Sequence, residues 1–215
     1  MKKILCLLLT FVLMLACVSC GKIGKKNDEG TVETISATVS SSNPTQIVTK
    51  VDYIVKGQDT ITSSYVTEKD SKTGVEKFTF HTKRLATVEE MSPTSVKEIN
   101  GTVWKNADGS VKSSEGDEWS KADAVGYLSE ELIITTSAFK SYDLSDDGND
   151  LKAVIEAKDS VRVFGADIQA AGDITLEVDT NGVYLYKVTV TYTTASGATV
   201  VVTTSYDYGV VTIKD

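Results

Sequence analysis

Apolar and polar residues alternate along most of this 215-residue chain, which is the pattern of half-buried β-strands. In VEKFTFHTKRL, for example, Phe78 and Phe80 share one face while His81 lies on the other. The same alternation runs through QIVTKVDYIV, DITLEVDT and GATVVVTTSYDY. One late strand is predicted to carry a stripe on a single face: Tyr184, Tyr186, Val188, Val190 and Tyr192. The pattern predicts a mainly antiparallel sheet with one solvated face.

Turn signals separate these runs at the spacing of β-hairpins. They are KTG at 72–74, ADGS at 107–110, TNG at 180–182 and ASG at 195–197. Asn-Gly and Asp-Gly supply the positive φ angles that tight hairpin turns require. Only two prolines are present, so long uninterrupted strands are allowed.

One segment has helical rather than strand periodicity. Ser120 and Asp123 resemble a capping box, and Val125, Leu128 and Leu132 follow at helical spacing. We predict a helix over 121–134 that lies across the apolar face of the sheet. A weaker helical stretch at 31–42 and a short turn at 159–165 are also predicted. Together these elements predict a mainly β fold with α, in which a curved antiparallel sheet packs on one or two helices.

The front of the chain has the layout of a secretory signal, with lysines at positions 2 and 3 followed by an apolar run over 4–18. At the end of that run, VSCG resembles the lipobox of bacterial lipoproteins. That resemblance implies cleavage before Cys20 and a lipid on its thiol, with Val18 and Ser19 at the two preceding positions. Cleavage before Cys17 is the alternative. The resemblance therefore implies an extracytoplasmic protein, anchored by lipid to the bacterial cell membrane.

The number of cysteines and the net charge exclude further classes of site and partner. Cys6, Cys17 and Cys20 are the only cysteines, so a chain cut before Cys20 has neither a disulfide nor a cysteine nucleophile in its body. Removal of two lysines with the signal leaves 20 basic against 30 acidic residues, a net charge of about −10. An acidic body argues against nucleic acid as a partner.

The domain boundaries follow from these features. We predict a signal peptide over 1–19, an acylated cysteine and flexible tether over 20–30, and one domain over 31–215. The lipobox, SSNPTQIVTKVDYIV and the strand-rich tail after position 163 resemble surface lipoproteins of Gram-positive gut anaerobes. The architecture is similar to the half-barrel group of the lipoprotein carrier LolA and of LppX. That resemblance implies a cupped sheet with helices as a lid, a shape in which several members hold acyl chains.

Two functions are consistent with this sequence. In the first, a non-catalytic lipoprotein binds a lipid or other apolar ligand between sheet and helix, using Tyr184, Tyr186, Val188, Tyr192, Leu128 and Leu132. In the second, the helix fills the cup, and the protein is a structural or interaction lipoprotein without a small-molecule ligand. Neither function requires a cofactor or a metal, and the protein partner is left open.

Candidate catalytic and metal motifs are weak. His81 is the only histidine and lies on the polar face of its strand. SAFK at 137–140 and KTG at 72–74 occur in the reverse of the order found in penicillin-recognising enzymes. The acidic loop at 143–150 lacks the glutamate of a calcium-binding EF-hand, because its twelfth position is Val154. A solvated turn explains that loop most simply, with an irregular calcium site as the alternative. The sequence therefore predicts a protein that is not an enzyme.

Overall fold

The computed structural model describes residues 28–85, 96–113 and 132–213, which contain two helices and ten strands. The helices are α1 (Asp28–Ser41) and α2 (Ser160–Phe164), and single 3-10 turns lie at Thr136–Ala138 and Ala157–Asp159. The strands are β1 (Gln46–Ile54), β2 (Ile61–Lys69), β3 (Glu76–Leu85), β4 (Val96–Lys105), β5 (Val111–Ser113), β6 (Ser141–Leu144), β7 (Asp150–Ile155), β8 (Ile174–Thr180), β9 (Leu185–Thr193) and β10 (Thr199–Asp207).

All ten strands belong to one antiparallel sheet with the order β5-β4-β3-β2-β1-β10-β9-β8-β7-β6. From β1 to β5 and from β6 to β10, strands that are consecutive in the sequence pair with each other as hairpins. The two sets of strands meet where β1 pairs with β10. That join is long, from Gln46 opposite Asp207 to Ile54 opposite Thr199. Because β5 and β6 are at the two edges, the sheet is open. A mostly antiparallel sheet with short helices is therefore confirmed, while its half-barrel shape stays a prediction.

The predicted hairpin turns are confirmed between β2 and β3, β4 and β5, β8 and β9, and β9 and β10. Gly182 shows why the residue type matters, since its φ of 80° lies in the left-handed region. A side chain with a Cβ atom is strained in that region, whereas glycine is not. The Asn-Gly pair at 181–182 is therefore enough to predict the turn between β8 and β9 from the sequence.

The core lies on one face of the sheet, and a single row of side chains shows how it is built. Val51 is opposite Val202, which is opposite Val190, followed by Leu176 and Ala153 on the next two strands. All five side chains are buried. Alternation along each strand puts every second residue on this face, so antiparallel pairing aligns the apolar positions into a continuous layer.

Helix α1 packs on this layer through Val32, Ile35 and Thr38, which are spaced at about one turn and are all buried. The acidic side chains of Asp28 and Glu29 lie in its first turn, where the helix dipole favours negative charge. The predicted stretch at 31–42 is confirmed as a helix. It begins three residues earlier than predicted, so 28–30 belong to α1 rather than to the tether.

Helix α2 confirms the short turn predicted at 159–165. It ends at Gly165, whose φ is 63° and whose N–H donates to the carbonyl oxygen of Val161 at 3.0 Å. Val163 and Phe164 are buried, and so α2 contributes to the core.

The helix predicted over 121–134 is wrong at its C-terminal end, and 121–131 lie outside the described residues. Residues 132–135 form no helix or strand. The N–H of Ile133 donates to the carbonyl oxygen of Val163 at 2.8 Å. That donor is therefore used by a tertiary hydrogen bond instead of by a helical turn.

One end of the sheet, which we call the α1 end, carries α1, the turns at 145–149 and 181–184, and the segment 208–213. Asp70 in the β2–β3 turn connects this segment to the sheet. Its Oδ1 accepts from the N–H groups of Lys72 and Thr73, both at 2.8 Å, and its Oδ2 accepts from the N–H of Ile213 at 2.9 Å. These hydrogen bonds lower the pKa of the buried Asp70 carboxyl to about 2, and the bond from the N–H of Thr73 makes the largest contribution.

Within the described residues, no helix combines the length and the apolar character that crossing a membrane would require.

Candidate functional site

The predicted ligand-binding stripe on β9 is divided by a β-bulge. Thr180 is opposite Leu185, but Asp179 is opposite Lys187, so Tyr186 is an extra residue on β9. Beyond the bulge, Leu185 points into the core while Tyr184 and Tyr186 are exposed. The prediction that both tyrosines share a face with Val188 is therefore wrong.

The other predicted stripe residues lie in the core. Val188 and Tyr192 are buried among neighbouring strands, and burial raises the pKa of the Tyr192 hydroxyl. Leu132 is partly buried and packs against the same core. Leu128 and the predicted acylation site Cys20 lie outside the described residues. The predicted ligand residues that the structure describes are thus divided between the core and the exposed surface.

The exposed tyrosines instead form a small aromatic surface at the α1 end. The rings of Tyr184 and Tyr208 are 4.6 Å apart between centroids, with an interplanar angle of 48°. The Tyr208 hydroxyl donates to the carbonyl oxygen of Leu185 at 2.9 Å and lies 3.3 Å from Ser42 Oγ. The hydroxyl of Tyr186 accepts a 2.7 Å hydrogen bond from the side chain of Asn181. Sequence reasoning missed Tyr208 as the partner of Tyr184, because only the strand pairing brings them together.

Two grooves of about 500 Å³ run along α1, one on each side. One lies between α1 and the turns of the α1 end, with Thr31, Asn149 and Gly182 among its lining residues. The other lies between α1 and the segment around Ile134. Both are open to solvent, in contrast to the enclosed apolar site that an acyl chain would require.

The inner face of β2 and β3 buries a cluster of hydroxyl groups that hydrogen-bond to one another. Ser63 Oγ donates to the carbonyl oxygen of Lys83 at 3.1 Å and accepts from its N–H at 2.8 Å. Thr82 Oγ1 lies 3.3 Å from Ser63 Oγ and 3.1 Å from the Tyr65 hydroxyl. All three hydroxyl-bearing side chains are buried. Mutual hydrogen bonding satisfies polar groups that would otherwise be costly to bury.

Aromatic rings lie beside these hydroxyls. Phe78 is 6.3 Å from Tyr65 and 5.9 Å from Phe80 between ring centroids. Tyr65 and Phe80 are buried, whereas Phe78 is half-buried. The sequence predicted Phe78 and Phe80 on one face, and this is confirmed. Here an apolar wall adjoins a polar edge, a combination that could hold a ligand with one polar end.

The outer face carries His81, as the sequence predicted. The His81 side chain is 44% exposed, and its Nε2 lies 3.8 Å from Glu98 Oε2. Lys83 Nζ lies 2.8 Å from the other oxygen of the same carboxylate. The hydrogen bond from Lys83 is the main cause of the lowered pKa of Glu98. The arrangement is an exposed charge cluster on the sheet surface.

The acidic stretch at 143–150 contains the turn at 145–149 between β6 and β7, and its end residues belong to those strands. Asp147 accepts hydrogen bonds from Ser145 Oγ at 2.6 Å and from the side chain of Asn149 at 3.0 Å, and these lower its pKa. Burial raises the pKa of Asp150, with a smaller contribution from the Asp179 carboxylate. Across the described part of the chain, no three His, Cys, Asp or Glu side chains are grouped as metal ligands. The loop is a hydrogen-bonded turn.

No protein-family model and no curated protein matches this chain. Among solved structures, it is similar to a DUF1329 family protein from Desulfovibrio piger, with 9% sequence identity and a TM-score of 0.27. The match covers 86% of this chain and 95% of that protein. A likeness at this level carries no argument about fold or function.

Proposed function

We propose that this protein is an extracytoplasmic lipoprotein, anchored to the bacterial membrane by a lipid on Cys20. The support is the sequence VSCG at the end of an apolar run of signal length. The half-barrel group of LolA and LppX is the proposed relative in architecture. An open antiparallel sheet with a helix on its apolar face supports that relationship, which rests on shape and not on shared site residues.

We further propose that the folded body is a non-catalytic interaction module rather than a lipid carrier. The observation that carries this proposal is the filling of the apolar face by protein side chains. Val32 and Ile35 of α1 and Val163 and Phe164 of α2 are buried against that face. In a carrier, this volume would belong to the ligand. The predicted absence of catalysis rests on a sequence with one histidine and no cysteine after Cys20.

A matched pair of cysteine variants tests the anchor. Cys20→Ser should release the protein from the membrane fraction, whereas Cys17→Ser should leave it membrane-bound. Mass spectrometry of the N-terminal peptide from the native protein should find an acylated Cys20. A peptide that begins at Cys17, or a Cys20 that carries no lipid, would contradict the proposed site.

Native mass spectrometry of the released Cys20→Ser protein tests the role of the body. We expect the mass of the polypeptide alone. A lipid bound at one molecule per chain would overturn the interaction module and support a carrier instead.

A second candidate function is apolar ligand binding on the inner face of β2 and β3. The specific observation in its favour is the set of three rings around Phe78 beside the buried hydroxyls of Ser63 and Thr82. If lipid co-purifies, Phe78→Ala should reduce the bound amount. Thr79→Ala is the control, because it alters the opposite face of the same strand. Equal loss in both variants would count against this site.

A further inference from the structure

Exposed apolar side chains are concentrated at the α1 end of the sheet. Seven large apolar side chains are exposed in the described residues, and four of them lie at this end. Val183 is 67% and Val210 is 82% exposed, and Tyr184 and Tyr186 are each nearly half exposed. The side chains of Val183 and Val210 are removed from water only if a partner protein or a membrane covers them.

Contacts of α1 show that the chain enters the fold at the same end. Thr31 in the first turns of α1 packs on the turn at Gly148, and Thr38 Oγ1 lies 3.2 Å from the carbonyl oxygen of Gly182. The two turns are joined to each other, because Thr180 Oγ1 donates to the carbonyl oxygen of Asn149 at 2.8 Å. The start of α1 is therefore next to the turn at Gly148, which adjoins the turn that carries the exposed Val183.

The length of chain before α1 limits how far this end can be from the membrane. From Cys20 to Asp28 is eight residues, which span about 28 Å at most when fully extended. We infer that the α1 end docks on the surface of the lipid bilayer, with Val183, Tyr184 and Val210 in the headgroup region. This inference rests on the proposed lipid anchor at Cys20, which holds the α1 end close to the membrane.

The side chains at this end suit the interface between water and lipid. Tyrosine has an apolar ring and a polar hydroxyl, and it is enriched where membranes meet water. The ring of Tyr184 is held against Tyr208, and the hydroxyl of Tyr186 is held by Asn181. Little conformational freedom of the rings is then lost on docking, which favours a shallow apolar contact.

Charge determines which lipid surface the α1 end should prefer. Asp146 and Asp147 lie in one of its turns, and Asp28 and Glu29 begin α1. The lysines at 22, 25 and 26 attract anionic headgroups next to the anchor, whereas these acids oppose close contact of the α1 end with them, since like charges at a membrane surface repel. We therefore expect deeper docking on phosphatidylcholine than on vesicles rich in phosphatidylglycerol.

A single fluorescent label can measure this docking in the full acylated protein. Val183→Cys carries bimane at the α1 end, and Val161→Cys carries it on α2 at the opposite end. Val161 is a matched control, because it is also a valine and is 51% exposed. Each protein is reconstituted into phosphatidylcholine vesicles that contain a nitroxide at headgroup depth. We expect quenching at position 183 to exceed that at position 161 by about twofold or more.

Flotation of the vesicles separates the two proposals. Protein that floats with the vesicles but is quenched equally at both positions keeps its anchor, and the docking is overturned. Protein that does not float contradicts the anchor, and the docking fails with it. Adding Val210→Asp to the labelled Val183→Cys protein should lower the quenching, and unchanged quenching would also overturn the proposed contact. Stronger quenching on phosphatidylglycerol than on phosphatidylcholine would contradict the prediction that acidic side chains at the α1 end oppose contact with anionic headgroups.

Discussion

Replacing Ile35 by alanine tests whether burial of its apolar stripe holds α1 on the sheet. Ile35 is 1% exposed and belongs to the central core cluster. The substitution removes three carbon atoms, and loss of their burial costs about 2.4 kcal/mol at about 0.8 kcal/mol each. The cavity left behind raises the cost, and measured Ile→Ala substitutions in cores span about 2–5 kcal/mol.

The surroundings of Ile35 place the expected value in the lower half of that range. Ile35 borders the open groove beside Asn149, so nearby side chains and water can fill part of the space. Alanine also has a higher helix propensity than isoleucine, which returns a few tenths of a kcal/mol. We therefore expect Ile35→Ala to lower the free energy of unfolding by about 3 kcal/mol.

Chemical denaturation followed by circular dichroism measures this change in the Cys20→Ser background. Thr34→Ala is the control, since Thr34 is exposed in the same helix and its Oγ1 only donates back to the carbonyl oxygen of Gly30 at 2.9 Å. We expect that control to change stability by no more than about 0.5 kcal/mol. A loss below about 1 kcal/mol for Ile35→Ala, with an unchanged denaturant slope, would refute the packing of α1 on the core.

Two further predictions concern the α1 end. Because the folded-state pKa of Asp70 is about 2, below the ordinary value near 3.9, its hydrogen bonds stabilise the protein above about pH 4, and this contribution is lost as the pH falls toward 2. Asp70→Asn should thus flatten the pH dependence of the melting temperature between pH 4 and 2, and an unaltered slope would show that another group causes it. Gly182→Ala should lower the free energy of unfolding by about 1–2 kcal/mol, because the φ of Gly182 is 80°. Gly172→Ala is the control and should lower it less, because a Cβ atom at Gly172 has open space. Equal losses in urea titrations would refute the role of the left-handed backbone.

Local information in the sequence was sufficient for five of the ten described strands, which are β1, β3, β8, β9 and β10, and for four hairpin turns. Phe78 and Phe80 lie on one face of β3 and His81 lies on the other, because alternation is a property of each extended strand by itself. The turn at Gly182 is equally local, since glycine tolerates its backbone conformation without support from the rest of the fold. The α+β class followed from these local features.

Features that depend on a partner strand could not be read in the same way. The stripe predicted from Tyr184 to Tyr192 assumed uninterrupted alternation, but the bulge opposite Thr180 turns Tyr184 and Tyr186 outward. A bulge is defined by two residues opposite one on the neighbouring strand, so only the pairing of β8 with β9 reveals it. The two tyrosines therefore do not line the core face together with Val188 and Tyr192.

The sequence by itself determined the positions of five strands and four hairpin turns, and it supplied the lipobox from which the anchor is proposed. Only the tertiary structure decided which side chains meet. The pairing of β1 with β10 joins residues that are far apart in the sequence and brings Tyr208 to Ser42, while the pairing of β9 with β10 brings Tyr208 to Tyr184. Such contacts depend on chain closure over long sequence separations. Residue periodicity carries no information about those separations, because it reports only on the face of one element at a time.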